Sequence, residues 1–374
     1  MPAKSDRAAS AAGAAPSYET LRRVTVVVLI FGMLMVSFAP VVVHVIHRSL
    51  VPDFTMLWMG GCFGLHSPSL LYDVDAMTAA QQGLRASRKS GLLPFIYPPT
   101  TLLFVAPFAL VPFWPAYILW TIIGVAAFWT AARRLTSGWV ATLSLLSPPA
   151  VAVWLLGQTT FIVGAAILWS LALMRERPIL AGALMAVGAA IKPQSAILGP
   201  VAFIADRNWK ALIAAACIWL LLACASLAFG PGLWLDWFDD LAAFPDILAQ
   251  WNLYQFGATP SMLARFLELS SVPFLVAGVV AGIAVAWIGM ESDDLKTRAM
   301  AFVGGTLLAS PYAMSYEVTM MAPMLIAAAL TATFAGLVIA LPLIAARMYA
   351  IAIVPSLLVS VALKLWMSRR AKAH

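Results

Sequence analysis

The 374-residue chain is 63% hydrophobic and only 10% charged, whereas a water-soluble domain carries roughly 25% charged residues. Lipid must therefore be its main solvent, which excludes a soluble enzyme or binding module. The net charge of +7 serves orientation in a membrane, where Lys and Arg mark cytoplasmic loops, and no nucleic-acid partner is expected.

Residues 1–23, rich in Ala and Ser, are expected to form a disordered cytoplasmic tail. The apolar run Val24 to Val43 follows Arg22 and Arg23 and has the ~20 residues of a spanning helix. It is predicted to be a retained anchor, because a cleavable signal has a shorter apolar core and a small-residue cleavage site, while this run leads into His44, His47 and Arg48. Residues 47–97 form a first periplasmic loop, with helices lying along the membrane surface over Phe54 to Leu65 and Tyr72 to Lys89. The stretch 98–132 makes one net crossing with a break at Pro107, Pro112 and Pro115.

Further crossings are predicted at 139–156, 159–174, 178–191, 194–205 and 210–229. A second large periplasmic segment, 230–270, interleaves Trp234, Trp237, Phe244 and Trp251 with Asp236, Asp239, Asp240 and Asp246. Aromatics with acids suit either the headgroup zone or a sugar-binding rim. The last crossings run 272–290, 297–309, 317–330, 332–346 and 348–366, ahead of a tail at 367–374.

Each predicted return to the cytoplasm falls on a basic cluster: Arg133/Arg134, Arg175/Arg177, Arg207/Lys210, Lys296/Arg298 and Arg369/Arg370/Lys372. The positive-inside rule then puts both termini in the cytoplasm. The expectation is an all-α polytopic protein of the cell inner (plasma) membrane, with one transmembrane domain over 24–366 and about a dozen spans. Several crossings are shorter than the ~20 residues a perpendicular span needs, so some helices stop partway and line a cavity.

Polar residues away from the basic loops gather where helices meet the predicted outer face. Asp53 follows Pro52 and is either a general base or an ordinary helix cap. Tyr97 precedes Pro98-Pro99 and Gln158 follows Gly157; each is either a ligand group or a local structural device. Lys192, between Ala-Ala-Ile and Pro193-Gln194, is expensive at membrane depth, so it is functional, paired, or snorkelling to the interface. Glu317 is either its partner or an acid complementing a helix dipole. Tyr312 and Tyr316 follow Ser310-Pro311 at the same face. The Asp73-Val74-Asp75 pair has metal-motif spacing, but its place at a helix start favours capping. No zinc pattern or glycine-rich phosphate loop occurs, and no metal or other cofactor is expected.

In this order the landmarks resemble the GT-C membrane glycosyltransferases of glycosyltransferase family 87, which includes polyprenyl-phosphate-mannose-dependent mannosyltransferases. The resemblance rests on Pro-Asp-Phe-x3-Trp at 52–58, Leu-Tyr-Asp at 71–73, Tyr-Pro-Pro at 97–99, and Ser-Pro-Pro then Gly-Gln within 147–158. It continues through Ala-Gly-x8-Lys-Pro within 181–193, Ser-x3-Arg at 261–265 and Ser-Pro-Tyr at 310–312. Many relatives carry Trp and His after the last Ser-Pro, where this chain has Met314, Tyr316 and Glu317.

The resemblance implies a GT-C fold and transfer of a hexose, mannose foremost, from a polyprenyl-phosphate donor to a lipid or glycan acceptor, with inversion and with Asp53 as base. Lys192, Gln158, Gln194, Tyr97 and Tyr312 are then expected at the donor phosphate and sugar. Gln81, Arg85, Tyr316, Glu317 and Arg265 are expected to bind the acceptor or support the site. The competing reading is a transporter or lipid flippase, which also uses broken helices and polar groups in the membrane. Against it stand the one-sided placement of the polar residues and the lack of an evident internal repeat.

Overall fold

In the computed structural model, which describes residues 53–84, 94–331, 334–346 and 350–373 together with Gly32, Met33 and Met35, the regular elements are helices. Apart from Gly32, Met33 and Met35, the predicted anchor over Val24 to Val43 lies outside the described residues, as does the candidate Arg85. The segment expected to form the first outer loop contains α1 (Phe54–His66) and α2 (Val74–Gly83). Asp73 caps α2, its Oδ1 accepting from the Ala76 amide at 2.8 Å, which is the capping use expected of this acid. The proline-rich stretch divides into α3 (Leu102–Ala109) and α4 (Phe113–Leu135). Pro112, extended at ψ 148, separates them, because a proline cannot donate into a continuing helix.

The crossing expected at 139–156 is a bent pair, α5 (Gly138–Leu145) and α6 (Pro148–Leu156), angled by 60°. Ser147 is extended at ψ 152 ahead of Pro148, since the residue before a proline is pushed out of the α region. Next come α7 (Thr160–Leu173), α8 (Pro178–Ile191), a 3-10 turn at Pro193–Ala196, α9 (Gly199–Ala205) and α10 (Trp209–Ser226). Residues 230–270, expected to form the second outer segment, hold α11 (Leu233–Gln250) and α12 (Pro260–Phe266), followed by α13 (Ser271–Met290) and α14 (Leu295–Ala309). A 3-10 stretch at Ser315–Met321 leads into α15 (Ala322–Ala329), α16 (Phe334–Ala345) and α17 (Ala350–Ala373).

Among the described residues, four helical stretches are long and apolar enough to cross a membrane: Phe113–Leu135, Trp209–Phe229, Ser271–Met290 and Ala350–Arg370. The bent α5–α6 pair makes a fifth if it is taken as one span. At 14 residues each, α7 and α8 extend only about 21 Å, short of a hydrocarbon core of ~30 Å. The structure thus establishes an all-helical membrane protein with four to five candidate spans; the dozen expected from hydropathy is not resolved into spans of full length.

Small residues let the helices close. A Cβ on Gly282 of α13 would lie 2.4 Å from the Gly305 carbonyl oxygen of α14, and one on Gly182 of α8 would lie 2.2 Å from that of Ala211 in α10. Such small-residue contacts are the usual means of tight helix packing in lipid.

Ion pairs gather the basic turns. Arg175 pairs with Asp206 at 2.8 Å and with Asp293 at 3.6 Å, and Arg134 pairs with Glu176 at 2.7 Å. Helices α7, α8 and α14 run from this basic end to the opposite end, where Gln158, Lys192 and Tyr312 sit. There α11 lies across the helix ends: the Trp237 indole donates to the Ile96 carbonyl at 3.2 Å, and the Phe244 ring meets Tyr312 edge-on at 4.9 Å.

Candidate active site

Asp53 stands at the N-terminal boundary of α1 in helical backbone geometry, and its side chain makes no capping bond. Its Oδ2 instead accepts from Gln158 Nε2 at 2.6 Å, across 105 residues of sequence. Gly157 makes that approach feasible. It ends α6 in the left-handed region at φ +63, and a Cβ there would fall 2.7 Å from the Phe54 Cβ; only glycine combines this backbone with so close a neighbour. The Trp120 indole fixes the turn by donating to the Gly157 carbonyl at 3.0 Å.

The other end of the Gln158 amide accepts from the Tyr97 hydroxyl at 3.2 Å, which also lies 3.3 Å from Thr159 Oγ1. Tyr97 is itself held, because the Tyr72 hydroxyl donates to its carbonyl at 2.7 Å. Two residues past Pro99, Thr101 Oγ1 donates to the Ile191 carbonyl at 3.3 Å, tying the Tyr-Pro-Pro segment to the end of α8 beside Lys192. The carboxylate, amide and phenol form one continuous hydrogen-bonded chain.

Lys192 follows the last residue of α8 and is 3% exposed, and Glu317, with which it ion-pairs, is 1% exposed. Ser195 Oγ donates to Glu317 Oε2 at 3.0 Å, and the Lys192 ammonium lies 5.3 Å from the centre of the Tyr316 ring. Of the two roles open to Glu317, the structure shows partnership with Lys192. A charge buried this deeply requires a partner, and the pair is neutral as a unit.

The polar residues expected at the outer face line two adjoining cavities. The larger, of about 440 Å³, is lined by Lys192, Gln194, Arg265 and Asp240 beneath Trp237 and Leu241 of α11. The smaller, of about 390 Å³, is lined by Asp53, Gln158, Tyr316, Ser315 and Trp251. Ile96, Tyr97, Phe244, Leu248 and Tyr312 line both, so these residues form the wall between them. Asp53 and Lys192 therefore face different cavities, with Tyr97 and Tyr312 standing between.

A family model described as glycosyltransferase family 87 matches residues 95–311. The chain belongs to glycosyltransferase family 87. No curated protein and no solved structure matches it. Family membership gives the protein glycosyltransferase activity, and with it a sugar donor and an acceptor. The matched residues of this family 87 enzyme include Tyr97, Gln158, Lys192, Gln194 and Arg265, while Asp53 precedes them and Tyr312, Tyr316 and Glu317 follow.

Not every expected site residue reaches a cavity of the family 87 enzyme. Gln81 is buried in α2 at 1% exposure and lines neither cavity. Arg265 lines the larger cavity, its guanidinium 5.6 Å from the centre of the Tyr254 ring. Among the described residues, no group of three or more His, Cys, Asp or Glu is arranged to hold a metal ion.

Asp240 was legible only as one acid of an outer rim, yet it lines the larger cavity. Burial, and then the neighbouring Asp236 and Asp239, push its carboxyl up to about 6. The helical spacing of Trp237, Asp240, Leu241 and Phe244 is the signal that puts it on the cavity face of α11. Thr159 and Ser195, which hold Tyr97 and Glu317, carry no signal in the sequence beyond their adjacency to Gln158 and Gln194.

Proposed function

We propose that the protein transfers a hexose, mannose foremost, from a polyprenyl-phosphate donor to a lipid or glycan acceptor at the extracytoplasmic face of the inner membrane, with both termini in the cytoplasm. The observation that carries this reading is the chain from Asp53 through Gln158 to Tyr97, which sets a carboxylate in one cavity and ends at the wall of the other. The larger cavity, apolar with cationic groups along one side, takes the lipid phosphate and its sugar. The smaller, with Asp53, takes the acceptor hydroxyl.

In this reading the hydroxyl oxygen attacks the anomeric carbon from the side opposite the phosphate. Its proton passes to the Asp53 carboxylate, and the electron pair of the breaking C–O bond stays with the phosphate. A single displacement of this kind inverts the anomeric centre. Lys192 and Arg265 offset the charge that grows on the leaving oxygen, and a monophosphate so held has no need of a metal.

Tyr97, Gln158, Gln194 and Tyr312 hydrogen-bond the sugar or the phosphate, and Tyr316 flanks the acceptor. Glu317 holds Lys192 in place, Gln81 supports the outer loop from within, and Arg85 contributes to acceptor binding. The apolar composition and the basic turns support the membrane placement.

The test is release of lipid phosphate by purified protein in detergent, given a panel of polyprenyl-phosphate sugars. Asp53→Asn should lower turnover by about 10²–10⁴-fold, the range of a general base, with little change in donor binding. Equal turnover in the two proteins would remove Asp53 as the base.

A further inference from the structure

We propose that Asp240 sets the charge of the lipid phosphate that the larger cavity retains, admitting singly charged phosphodiesters and rejecting phosphates that carry two charges. The inference rests on the reading of this cavity as the donor site. It begins from an oddity, a carboxylate in the wall of a cavity whose other charged groups suit an anion.

The charged groups around Asp240 can be taken element by element. On its own helix, Asp236 and Asp239 are its acidic neighbours, and both are exposed. Lys192 and Arg265 line the same cavity. From the first outer loop comes Tyr72, which feels Asp240 and Asp236 and whose hydroxyl is given to the Tyr97 carbonyl. Lys192 is ion-paired with Glu317, and no described cation pairs with Asp240. Neither Arg265 nor Asp240 takes part in a described ion pair, and Asp246 acts together with Arg265 on Tyr254.

A diester can direct its two charged oxygens to Arg265 and its neutral ester oxygen to Asp240. A second charge in the same cavity meets the carboxylate, and a part-buried like-charge encounter weakens binding by about tenfold. The sugar–phosphate–lipid donor is a phosphodiester and carries one charge. Transfer leaves a phosphate monoester, whose second ionisation falls near pH 6, so the product gains a charge that the donor lacked. Asp240 therefore favours departure of the spent lipid, and by the same rule disfavours diphosphate-linked sugars. Since its own carboxyl titrates at about 6, the discrimination belongs to the pH range above that value.

The test is direct binding, which needs no turnover. At pH 8, calorimetry in detergent compares a short-chain polyprenyl phosphate with its methyl diester, on wild type and on Asp240→Asn, Asp240→Glu and Asp239→Asn. Wild type should prefer the diester by about tenfold. Asp240→Asn should lose this preference by tightening the monoester about tenfold while leaving the diester within about twofold. Asp240→Glu and Asp239→Asn should behave as wild type. An unchanged preference in Asp240→Asn, an equal shift of both ligands, or the same loss in Asp239→Asn overturns the assignment. If neither ligand binds any of the proteins, the donor-cavity reading itself fails and takes this inference with it.

Discussion

At the scale of single residues, the Lys192–Glu317 pair is the feature most exposed to test. Both side chains are almost wholly buried, and removing one partner leaves a charge with no solvent and no counter-ion. Glu317→Ala should therefore destabilise the protein by ~3–5 kcal/mol, seen as a lower thermal midpoint in detergent. A double variant, Lys192→Met with Glu317→Leu, removes both charges and should recover most of that loss while leaving transfer activity depressed. Recovery of activity along with stability would mean that the pair is only structural. The sequence offered this pairing as one of two readings of Glu317. Lysine within an apolar run announces itself by its cost in lipid, but its acid lies 125 positions away by the numbering of Lys192 and Glu317, and no local pattern links the two. The same holds for Asp53. A residue after proline at a helix start reads as a cap, and its true partner, Gln158, is brought in only by tertiary structure.

At the scale of elements, the turn at Gly157 joins fold to chemistry. It ends α6, turns the chain into α7 and sets the Gln158 amide between Asp53 and Tyr97. Alanine there must accept a left-handed backbone, at a cost of ~1–2 kcal/mol, and its Cβ would meet Phe54 at 2.7 Å. Gly157→Ala should thus lower the thermal midpoint modestly and turnover steeply, because relief of the contact moves Gln158 away from the carboxylate. Equal proportional loss in Gly157→Ala and in a Gln158→Ala variant would show that positioning this amide is what the glycine contributes.

Helix positions were legible here because their signals are local. Pro112, Pro148, Pro178 and Pro260 each stand at or just before a helix start, and Asn208 and Asp294 accept amide bonds from the first turns they cap. The covering role of α11 was not legible. Its aromatic and acidic residues fit a membrane interface as well as they fit a cavity roof, and only the contacts with Ile96 and Tyr312 distinguish the two.

At the scale of the whole molecule, the division between a basic end and a cavity end makes a prediction about sidedness. Arg134, Arg175 and their acidic partners tie together turns that the charge pattern assigns to the cytoplasm. Through α7, α8 and α14, those turns are joined to Gln158, Lys192 and Tyr312 at the other end. The Arg134–Glu176 and Arg175–Asp293 pairs are exposed on both sides and contribute ~0–1 kcal/mol each, so breaking them should leave the fold intact. Excess positive charge, in contrast, governs which face a loop occupies during insertion. In a background with Cys62, Cys217 and Cys224 replaced by alanine, Asp236→Cys should label with a membrane-impermeant thiol reagent on intact cells. Arg177→Cys should label only in inverted vesicles. Both residues are exposed, so accessibility within the protein is not in question. The reverse pattern would turn the cavities toward the cytoplasm, and a donor carried in the outer leaflet could not reach them. Labelling of both from one face would place the basic turns and the cavities on the same side, and then α7, α8 and α14 would not be the elements that carry the chain across the membrane.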